Sequence, residues 1–306
     1  MFEKNPEEFA LKYLMSQKPP RIPQAQAMAA GASFDAHVKS KLHKLLCGPD
    51  PAYELDTLFE AQVEIQNRDF AKVAGEHALD CYIKCGAFDD IYNLMQQSEE
   101  EPRFEFTVVK TIDGVPLLGK PDMKIKIGSS IIGDWKVKGY CSKSAPSPAK
   151  GYRLCRDCNY PKPTKSHNTP HKEYKPVMNG QVEVSQNYLE WSDKKYADQM
   201  ALYGWLMGEP VGDENTMFFM EELVCKNIGD YDPPLLRVAH HRARVSHVYQ
   251  TELLERYKSC WNSIQTGHVF KDMSRDENDE RCSILDEASK QMTDDWFTAV
   301  TRTTTY

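Results

Sequence analysis

A change in hydrophobic period near residue 103 constrains the fold of this chain more than any other feature. Before that point, apolar side chains recur at helical spacing, most clearly over residues 25–47. Residues 103–137 instead alternate apolar and polar side chains, which predicts three consecutive strands. The same criteria predict helices over 192–208 and 247–266 and strands over 215–224 and 235–245. This order predicts an α/β fold, with a mixed central β-sheet flanked by helices and a Cys- and Lys-rich insert.

The length and composition of the chain set its domain organisation. Its 306 residues are enough for one large domain or two small ones. Hydrophobic residues make up 41% and charged residues 27%, which is typical of a soluble globular protein. We predict an N-terminal helical part over residues 1–100, a core over 101–270 with a basic Cys/His-containing insert at 141–180, and a charged tail over 271–306.

Cysteine usage and the N-terminal sequence favour a cytoplasmic location. Nine cysteines at irregular spacing argue against a disulfide framework and for a reducing compartment. The N-terminal stretch MFEKNPEEFALKYL is acidic and lacks the apolar core of a secretory signal. Because the sequence contains no run of 18 apolar residues, we expect no membrane association.

Charge is distributed unevenly along this acidic chain. The formal net charge is −7, yet residues 136–175 hold ten Lys or Arg residues against Asp157 and Glu173, a local balance of +8. Four tyrosines are interleaved with them: Tyr140, Tyr152, Tyr160 and Tyr174. A basic segment with aromatic residues indicates a surface that faces a polyanion. A solvated, lysine-rich loop explains the same composition equally well.

Residues 119–139, with the sequence GKPDMKIKIGSSIIGDWKVKG, combine a strand pattern with two carboxylates and five lysines between the flanking glycines. A turn centred on Ser129 would pair two antiparallel strands with Asp122 opposite Lys136. Alternation then directs Asp122, Asp134 and Lys136 to one face of the hairpin and its apolar side chains to the other. We therefore predict one core face and one face that carries chemistry.

The polar face of this hairpin suits a metal ion. Two carboxylates on one face repel each other unless a cation lies between them. Mg²⁺ commonly binds one or two carboxylates, and water and substrate phosphate complete its ligands. Lys136 could orient a water molecule or stabilise charge on a phosphate, and Lys124, opposite Asp134 in this register, could neutralise the carboxylates. The group suits phosphodiester hydrolysis, although a surface hairpin with salt-bridged charges would contain the same residues.

Two motifs resemble those of the PD-(D/E)XK nuclease superfamily. Pro121-Asp122, followed after 11 residues by Asp134-Trp135-Lys136, resembles the motif that names the superfamily. Gln199 and Tyr203, at i and i+4 on one face of a predicted helix, resemble the QxxxY motif of the branch that contains recombination helicase–nuclease domains and phage exonucleases. The matching elements follow the family order over residues 25–265. The resemblance implies a restriction-endonuclease-like core.

The resemblance also implies roles for individual residues. Asp122, Asp134 and the backbone carbonyl of Trp135 would bind Mg²⁺ or Mn²⁺. Lys136 would orient the attacking water, and Gln199 and Tyr203 would support the site or contact the DNA backbone.

Two further acidic residues match family positions as candidate metal ligands. Asp35, in the segment Gly31–Asp35, stands where the family has a histidine, and Glu105 matches an acidic residue in the strand before Pro121-Asp122. His37 lies roughly 200° further around the helix than Asp35, so we do not expect both to serve one site.

The function implied is that of a metal-dependent DNA exonuclease. Such an enzyme would process DNA ends in recombination or degrade DNA in the bacterial cytoplasm. Its gene could be a bacteriophage gene, since similar proteins are common in bacteriophages. Two alternatives are a structure- or site-specific endonuclease on the same core and a catalytically inactive nucleic-acid-binding protein. The presence of Asp122, Asp134 and Lys136 disfavours the inactive protein.

The insert contains a candidate zinc site. Cys155-x2-Cys158 and His167-x3-His171 are pairs of thiolate and imidazole ligands at spacings that suit tetrahedral zinc. The alternative is a basic loop with reduced cysteines; an iron–sulfur cluster is not expected, because only three cysteines are clustered. Seven basic residues are candidate DNA contacts: Lys138, Lys143, Lys150, Arg153, Arg156, Lys162 and Lys165.

Overall fold

A computed structural model of the chain describes residues 1–84, 86–104, 106–138, 140, 188–191, 194–225 and 236–303. The α-helices are α1 (Pro6–Phe9), α2 (Gln26–Leu46), α3 (Leu55–Gln62), α4 (Arg68–Lys84), α5 (Ala87–Met95), α6 (Lys194–Leu206), α7 (His247–Thr266) and α8 (Arg275–Thr303). The strands are β1 (Arg103–Phe104), β2 (Val108–Ile112), β3 (Val115–Gly119), β4 (Met123–Ile127), β5 (Ser129–Lys138), β6 (Met217–Cys225) and β7 (Leu236–Ala243). A π-helical turn covers Ala10–Leu14, and 3₁₀ turns cover Pro51–Tyr53, Ile65–Asn67 and Leu189–Trp191. Across these described ranges, each helix is too short or too polar to span a bilayer.

Five strands form one mixed sheet in the order β1-β4-β5-β6-β7. Strands β5 and β6 are parallel, and the other neighbouring pairs are antiparallel. A parallel pair requires a crossover connection, and α6 lies in the segment that joins β5 to β6. Helices α2, α4 and α5 pack on one face of the sheet, and α6 packs on the other. The predicted mixed α/β sheet flanked by helices is confirmed.

The apolar face of the β4–β5 hairpin lies in the main core. Met123, Ile125 and Trp135 are at most 6% exposed and pack with Phe34 of α2 and Tyr82 of α4. Because alternate residues of a strand point to opposite sides, the even-numbered residues of both strands face the side covered by α6. The predicted division into a core face and a polar face is therefore confirmed.

The register of this hairpin differs from the predicted one. The pairing places the centre of the turn on Gly128 rather than on Ser129, and Lys124 lies opposite Ile132 rather than opposite Asp134. Gly128 has a φ of +68°, in the left-handed region that favours glycine, which explains why the chain reverses there. The faces are unaffected, because a shift of two residues leaves each side chain on its own side.

The strands between residues 103 and 138 number five among the described residues, not three. One of the three predicted strands is interrupted at Lys120–Asp122, because Pro121 has no N–H to donate to a ladder. Strands β2 and β3 form a separate two-stranded sheet. The turn between them contains Asp113 and Gly114, both with positive φ, as the sequence TIDG predicts.

The chain divides into two compact units. The first comprises Met1–Pro23, Thr111–Val115 and Glu252–Tyr306, and the second comprises Gln24–Lys110 and Pro116–Thr251. The buried core of the first unit consists of Ala10, Met15, Val269, Phe270 and Leu285. Helix α8, in the segment predicted as a charged tail, contributes Leu285 to that core. The second unit contains the mixed sheet and all the described candidate site residues.

Small side chains allow α6 to lie close to the sheet. Ala197 and Ala201 are at most 1% exposed. A Cβ atom at Gly204 would lie 3.2 Å from the ring of Phe218 on β6. Gly208 follows the helix with a φ of +101°, in the left-handed region that favours glycine at a helix end. A Cβ atom at this position would have no neighbour within 4 Å, so Gly208 does not take part in the close packing.

Replacing Gly119 with Ala tests this close approach. A Cβ atom there would lie 2.5 Å from Cδ1 of Leu206 and 2.9 Å from the ring of Tyr203, so these two side chains of α6 must move. We expect the variant to lose about 1–3 kcal/mol of unfolding free energy in chemical denaturation. The neighbouring Leu118→Ala, at a side chain that is 64% exposed, should lose less than about 0.5 kcal/mol. Equal stability of the two variants would contradict the packing.

Candidate active site

Two aspartates lie side by side on the sheet face that α6 covers. The β4–β5 register, continued by one residue beyond β4, places Asp122 beside Asp134. The backbone N–H of Trp135 donates to Oδ2 of Asp122 at 3.0 Å, which ties the first aspartate to the strand that carries the second. Asp134 is only 2% exposed. The pair is therefore an interior feature and not part of a solvated surface hairpin.

The two carboxyl groups have opposite pKa shifts. Burial, together with the adjacent charge of Asp122, raises the pKa of Asp134 well above its ordinary value. Burial also opposes the ionisation of Asp122, but the charge of Lys39 and hydrogen bonds from Asp134 and the Trp135 N–H lower the pKa of Asp122 overall. Asp134 is therefore the harder of the two to ionise, as expected when two carboxyl groups are in contact in a buried place.

Lysines follow the aspartate along the same face of β5. The Nζ of Lys136 forms an ion pair with Oδ2 of Asp134, and the lysine side chain is 29% exposed, so it extends from a buried carboxylate toward solvent. Lys138 pairs with Glu222 of β6 at 3.1 Å and lies 5.1 Å from the ring centroid of Tyr196. One face of β5 thus carries the carboxylate of Asp134, followed by the ammonium groups of Lys136 and Lys138, each paired with a carboxylate.

A buried lysine of α2 joins this group. The side chain of Lys39 is 1% exposed, and its Nζ lies 2.6 Å from Oδ2 of Asp35 and 2.9 Å from Oδ1 of Asp122. A buried charge is tolerated only when it is paired and hydrogen-bonded. The two aspartates satisfy that requirement, and Lys39 in turn favours the ionised form of Asp122.

Gln199 and Tyr203 of α6 lie beside the aspartate pair. The Nε2 of Gln199 donates to the hydroxyl oxygen of Tyr203 at 2.7 Å, so the two side chains share one helix face as the sequence predicts. Burial raises the pKa of Tyr203 to about 12; the hydrogen bond from Gln199 lowers it, and the charges of Asp134 and Asp122 raise it. Tyr203 therefore stays a neutral phenol at physiological pH and acts through hydrogen bonds.

The raised pKa of Tyr203 predicts a pH dependence of stability. An unfolded tyrosine ionises near about pH 10, whereas the pKa of folded Tyr203 is about 12. Between these values only the unfolded state releases the proton, so the unfolding free energy falls as pH rises through this window. Tyr203→Phe removes this part of the decline, and thermal melting of both proteins across the window measures it. Parallel declines in the two proteins would contradict the shifted pKa.

Asp35 and His37 point to different neighbours, in agreement with their separation around α2. The Nδ1 of His37 lies 2.7 Å from the carbonyl oxygen of Ser33, and the ring approaches Gly75 of α4. Asp35 instead accepts a hydrogen bond from Lys39. The role of Asp35 as a metal ligand stays a prediction.

Several predicted residues lie outside the described part of the chain. They are Glu105, the candidate zinc ligands Cys155, Cys158, His167 and His171, and the basic residues Lys143, Lys150, Arg153, Arg156, Lys162 and Lys165. Of the predicted DNA contacts, Lys138 is described. The zinc site and the DNA contacts of the insert stay predictions.

The donor set fits Mg²⁺ or Mn²⁺ bound through two carboxylates. Asp122 and Asp134 supply oxygen ligands in contact with each other, and a bound cation would relieve the repulsion that raises the pKa of Asp134. Among the described residues no group of three or more His, Cys, Asp and Glu side chains forms a metal site. Water and substrate phosphate would have to complete the ligands, which is usual for Mg²⁺.

Sequence reasoning missed three residues that hold the site: Lys39, Tyr196 and Glu222. Glu222 carried a usable signal, because it interrupts the apolar run MFFMEELVC and a carboxylate in such a strand needs a buried partner. Its Cα partner in the parallel register is Lys136. The only sequence signal for Lys39 is its i,i+4 spacing from Asp35, and such pairs are common on solvent-exposed helices.

Comparison with known proteins adds distant likenesses only. No family model matches the sequence, and no curated protein matches it. A candidate exonuclease from Eubacterium rectale of known crystal structure has 13% identity and a TM-score of 0.41, over 86% of this chain and 82% of the other. The protein SSO0001 has 11% identity and a TM-score of 0.23, over 86% and 88% of the two chains. Likenesses at this level carry no conclusion, so the function is argued from the residues of this chain.

Proposed function

We propose that this protein is a metal-dependent nuclease that hydrolyses phosphodiester bonds in DNA. The observation that carries the proposal is the contact between Asp122 and the buried Asp134, with Lys136 paired to the second. A buried ionic group of this kind is rarely needed for stability, since apolar residues of similar volume often stabilise a core more. The resemblance of these residues to the PD-(D/E)XK motif supports the same reaction.

Asp122 and Asp134 would hold one Mg²⁺ or Mn²⁺ ion with the backbone carbonyl of Trp135. When bound, the ion supplies positive charge to the scissile phosphate and makes water a stronger nucleophile. The N–H of Trp135 fixes the orientation of the Asp122 carboxylate through its hydrogen bond. Lys39 holds the other oxygen of the same group. The first ligand is thus positioned before any ion arrives.

Lys136 acts on the solvent side of the aspartate pair. Its ammonium orients the attacking water and stabilises the charge that develops on the phosphate oxygens. The neutral hydroxyl of Tyr203, fixed by Gln199, offers a further hydrogen bond to the site or to the DNA backbone. Attack of water on phosphorus with departure of the 3′-oxygen leaves 5′-phosphate and 3′-hydroxyl ends.

We propose an exonuclease that acts in DNA-end processing, recombination or DNA degradation, in a bacterium or during phage infection. The QxxxY resemblance at Gln199 and Tyr203 supports this choice. The basic residues between 136 and 175 would bind phosphates without regard to sequence, so binding should weaken as salt rises.

Linear and circular DNA distinguish the proposed activity from its alternatives. Linear duplexes and single strands labelled at the 5′ or 3′ end, and closed circular duplex, are incubated with Mg²⁺, Mn²⁺ or EDTA. We expect progressive shortening of linear substrates with either metal, intact circles, and no reaction in EDTA.

Other outcomes would identify the alternatives. Cleavage of closed circles would favour a structure- or site-specific endonuclease. DNA binding without cleavage under any metal condition would favour an inactive nucleic-acid-binding protein, and cleavage in EDTA would contradict metal dependence.

A further inference from the structure

The ammonium group of Lys39 lies between the carboxylates of Asp35 and Asp122 and supplies positive charge to both. The Nζ of Lys39 contacts one carboxylate oxygen of each, at 2.6 and 2.9 Å. Asp35 and Lys39 are one helical turn apart on α2, so the helix fixes their mutual position. The lysine side chain is 1% exposed. Its ammonium therefore cannot reach solvent without breaking both ion pairs.

This ammonium lies where a metal ion bridging Asp35 and Asp122 would lie. In sites with two metal ions, the ions are about 3.5–4 Å apart. Mg²⁺ binds its oxygen ligands at about 2.0–2.1 Å. An ion that bridged the oxygens held by Lys39 would therefore coincide with the Nζ atom, and repulsion between like charges in a buried site excludes it.

We propose that Lys39 limits this site to one divalent metal ion by occupying the position between Asp35 and Asp122 that a second ion would need. Asp35 is then the partner of a lysine and not a metal ligand. The inference rests on the proposed function, because it presupposes an ion at Asp122 and Asp134. Lys39 is a positioning residue, since it acts through Asp122 and does not touch the substrate.

Counting bound Mn²⁺ tests this inference without measuring cleavage. Free Mn²⁺ is followed by electron paramagnetic resonance during titration of the protein. We expect one ion per wild-type chain and two per Lys39→Gln chain, because removing the ammonium opens the position between Asp35 and Asp122 to a second ion. Lys39→Arg is the matched control: it keeps the charge, and we expect one ion.

Asp35→Asn gives an independent reading if Lys39→Gln does not fold. The substitution is nearly isosteric and leaves Lys39 paired with Asp122. We expect one bound ion, with an affinity lowered by at most about 10–100-fold, the range typical of residues that orient metal ligands without binding the ion. Loss of all measurable binding by the folded variant would make Asp35 a ligand and overturn the inference.

The remaining outcomes separate this inference from the proposed function. Two ions on the wild-type chain, or one ion on folded Lys39→Gln, would overturn the inference alone, provided that Asp134→Asn loses an ion. No Mn²⁺ binding by the wild-type chain, or equal binding by Asp134→Asn, would overturn the metal site of the proposed function and this inference with it.

Discussion

The Asp134→Asn variant is expected to cleave linear DNA at least about a thousandfold more slowly than the wild-type protein. Asp134 is a proposed metal ligand, and a bound ion supplies several kcal/mol of transition-state stabilisation. Each 1.36 kcal/mol corresponds to a tenfold change in rate. Single-turnover cleavage of an end-labelled duplex measures the rate, and Mn²⁺ titration should show the loss of the bound ion. Retention of either property would contradict the role of Asp134.

The same substitution should not unfold the protein. Burial and the charge of Asp122 raise the pKa of Asp134, so without metal the folded state resists its ionisation. Because the unfolded state loses this proton near about pH 4, the metal-free wild type loses stability as pH rises above that value. Asparagine has no such proton. Asp134→Asn should therefore melt at or above the wild-type temperature in EDTA at neutral pH, and a lower melting temperature would attribute the inactivity to unfolding.

Lys136→Met is expected to separate catalysis from metal binding. The substitution removes the ammonium on the solvent side of Asp134 and keeps both carboxylates. Loss of one preorganised group that stabilises developing charge typically lowers rates about 10²–10³-fold. Single-turnover rates at saturating Mn²⁺ should show this decrease, while the Mn²⁺ titration still gives one ion. An unchanged rate would remove Lys136 from the mechanism.

Lys126→Ala is the matched control for Lys136→Met. Lys126 lies on β4 near the turn, its side chain is 41% exposed, and it pairs with Glu100 at 2.9 Å. Exposed ion pairs contribute about 0–1 kcal/mol to stability. We expect its cleavage rate to stay within about twofold of wild type. A similar decrease in both variants would point to general loss of DNA attraction and not to chemistry at Lys136.

Periodicity is enough to predict which residues share a face. Asp122, Asp134 and Lys136 lie on the polar face of the hairpin because strand side chains alternate, and Gln199 and Tyr203 meet because a helix repeats near four residues. Register is harder, because a shift of two residues preserves every face. Only the positive φ of Gly128 distinguishes the observed turn from one at Ser129, and glycine is common enough to leave that signal weak.

Contacts between distant segments could not be predicted from one sequence. Lys39 and Asp122 are 83 residues apart, and Lys138 and Glu222 are 84 residues apart. A lysine on an amphipathic helix looks like part of a solvated face until the strand that covers it is known. The buried charges of Lys39 and Glu222 were missed for this reason.

The symmetry of the hairpin about Gly128 has a consequence for its length. Asp122 and Asp134 each lie six positions from that glycine, so equal arms keep them side by side. Adding one residue to each arm next to the turn would extend the hairpin outward and leave the aspartates opposed. Adding a single residue would misalign them and turn one toward the core. A change of length within the paired arms therefore keeps the aspartates side by side only when both arms change equally.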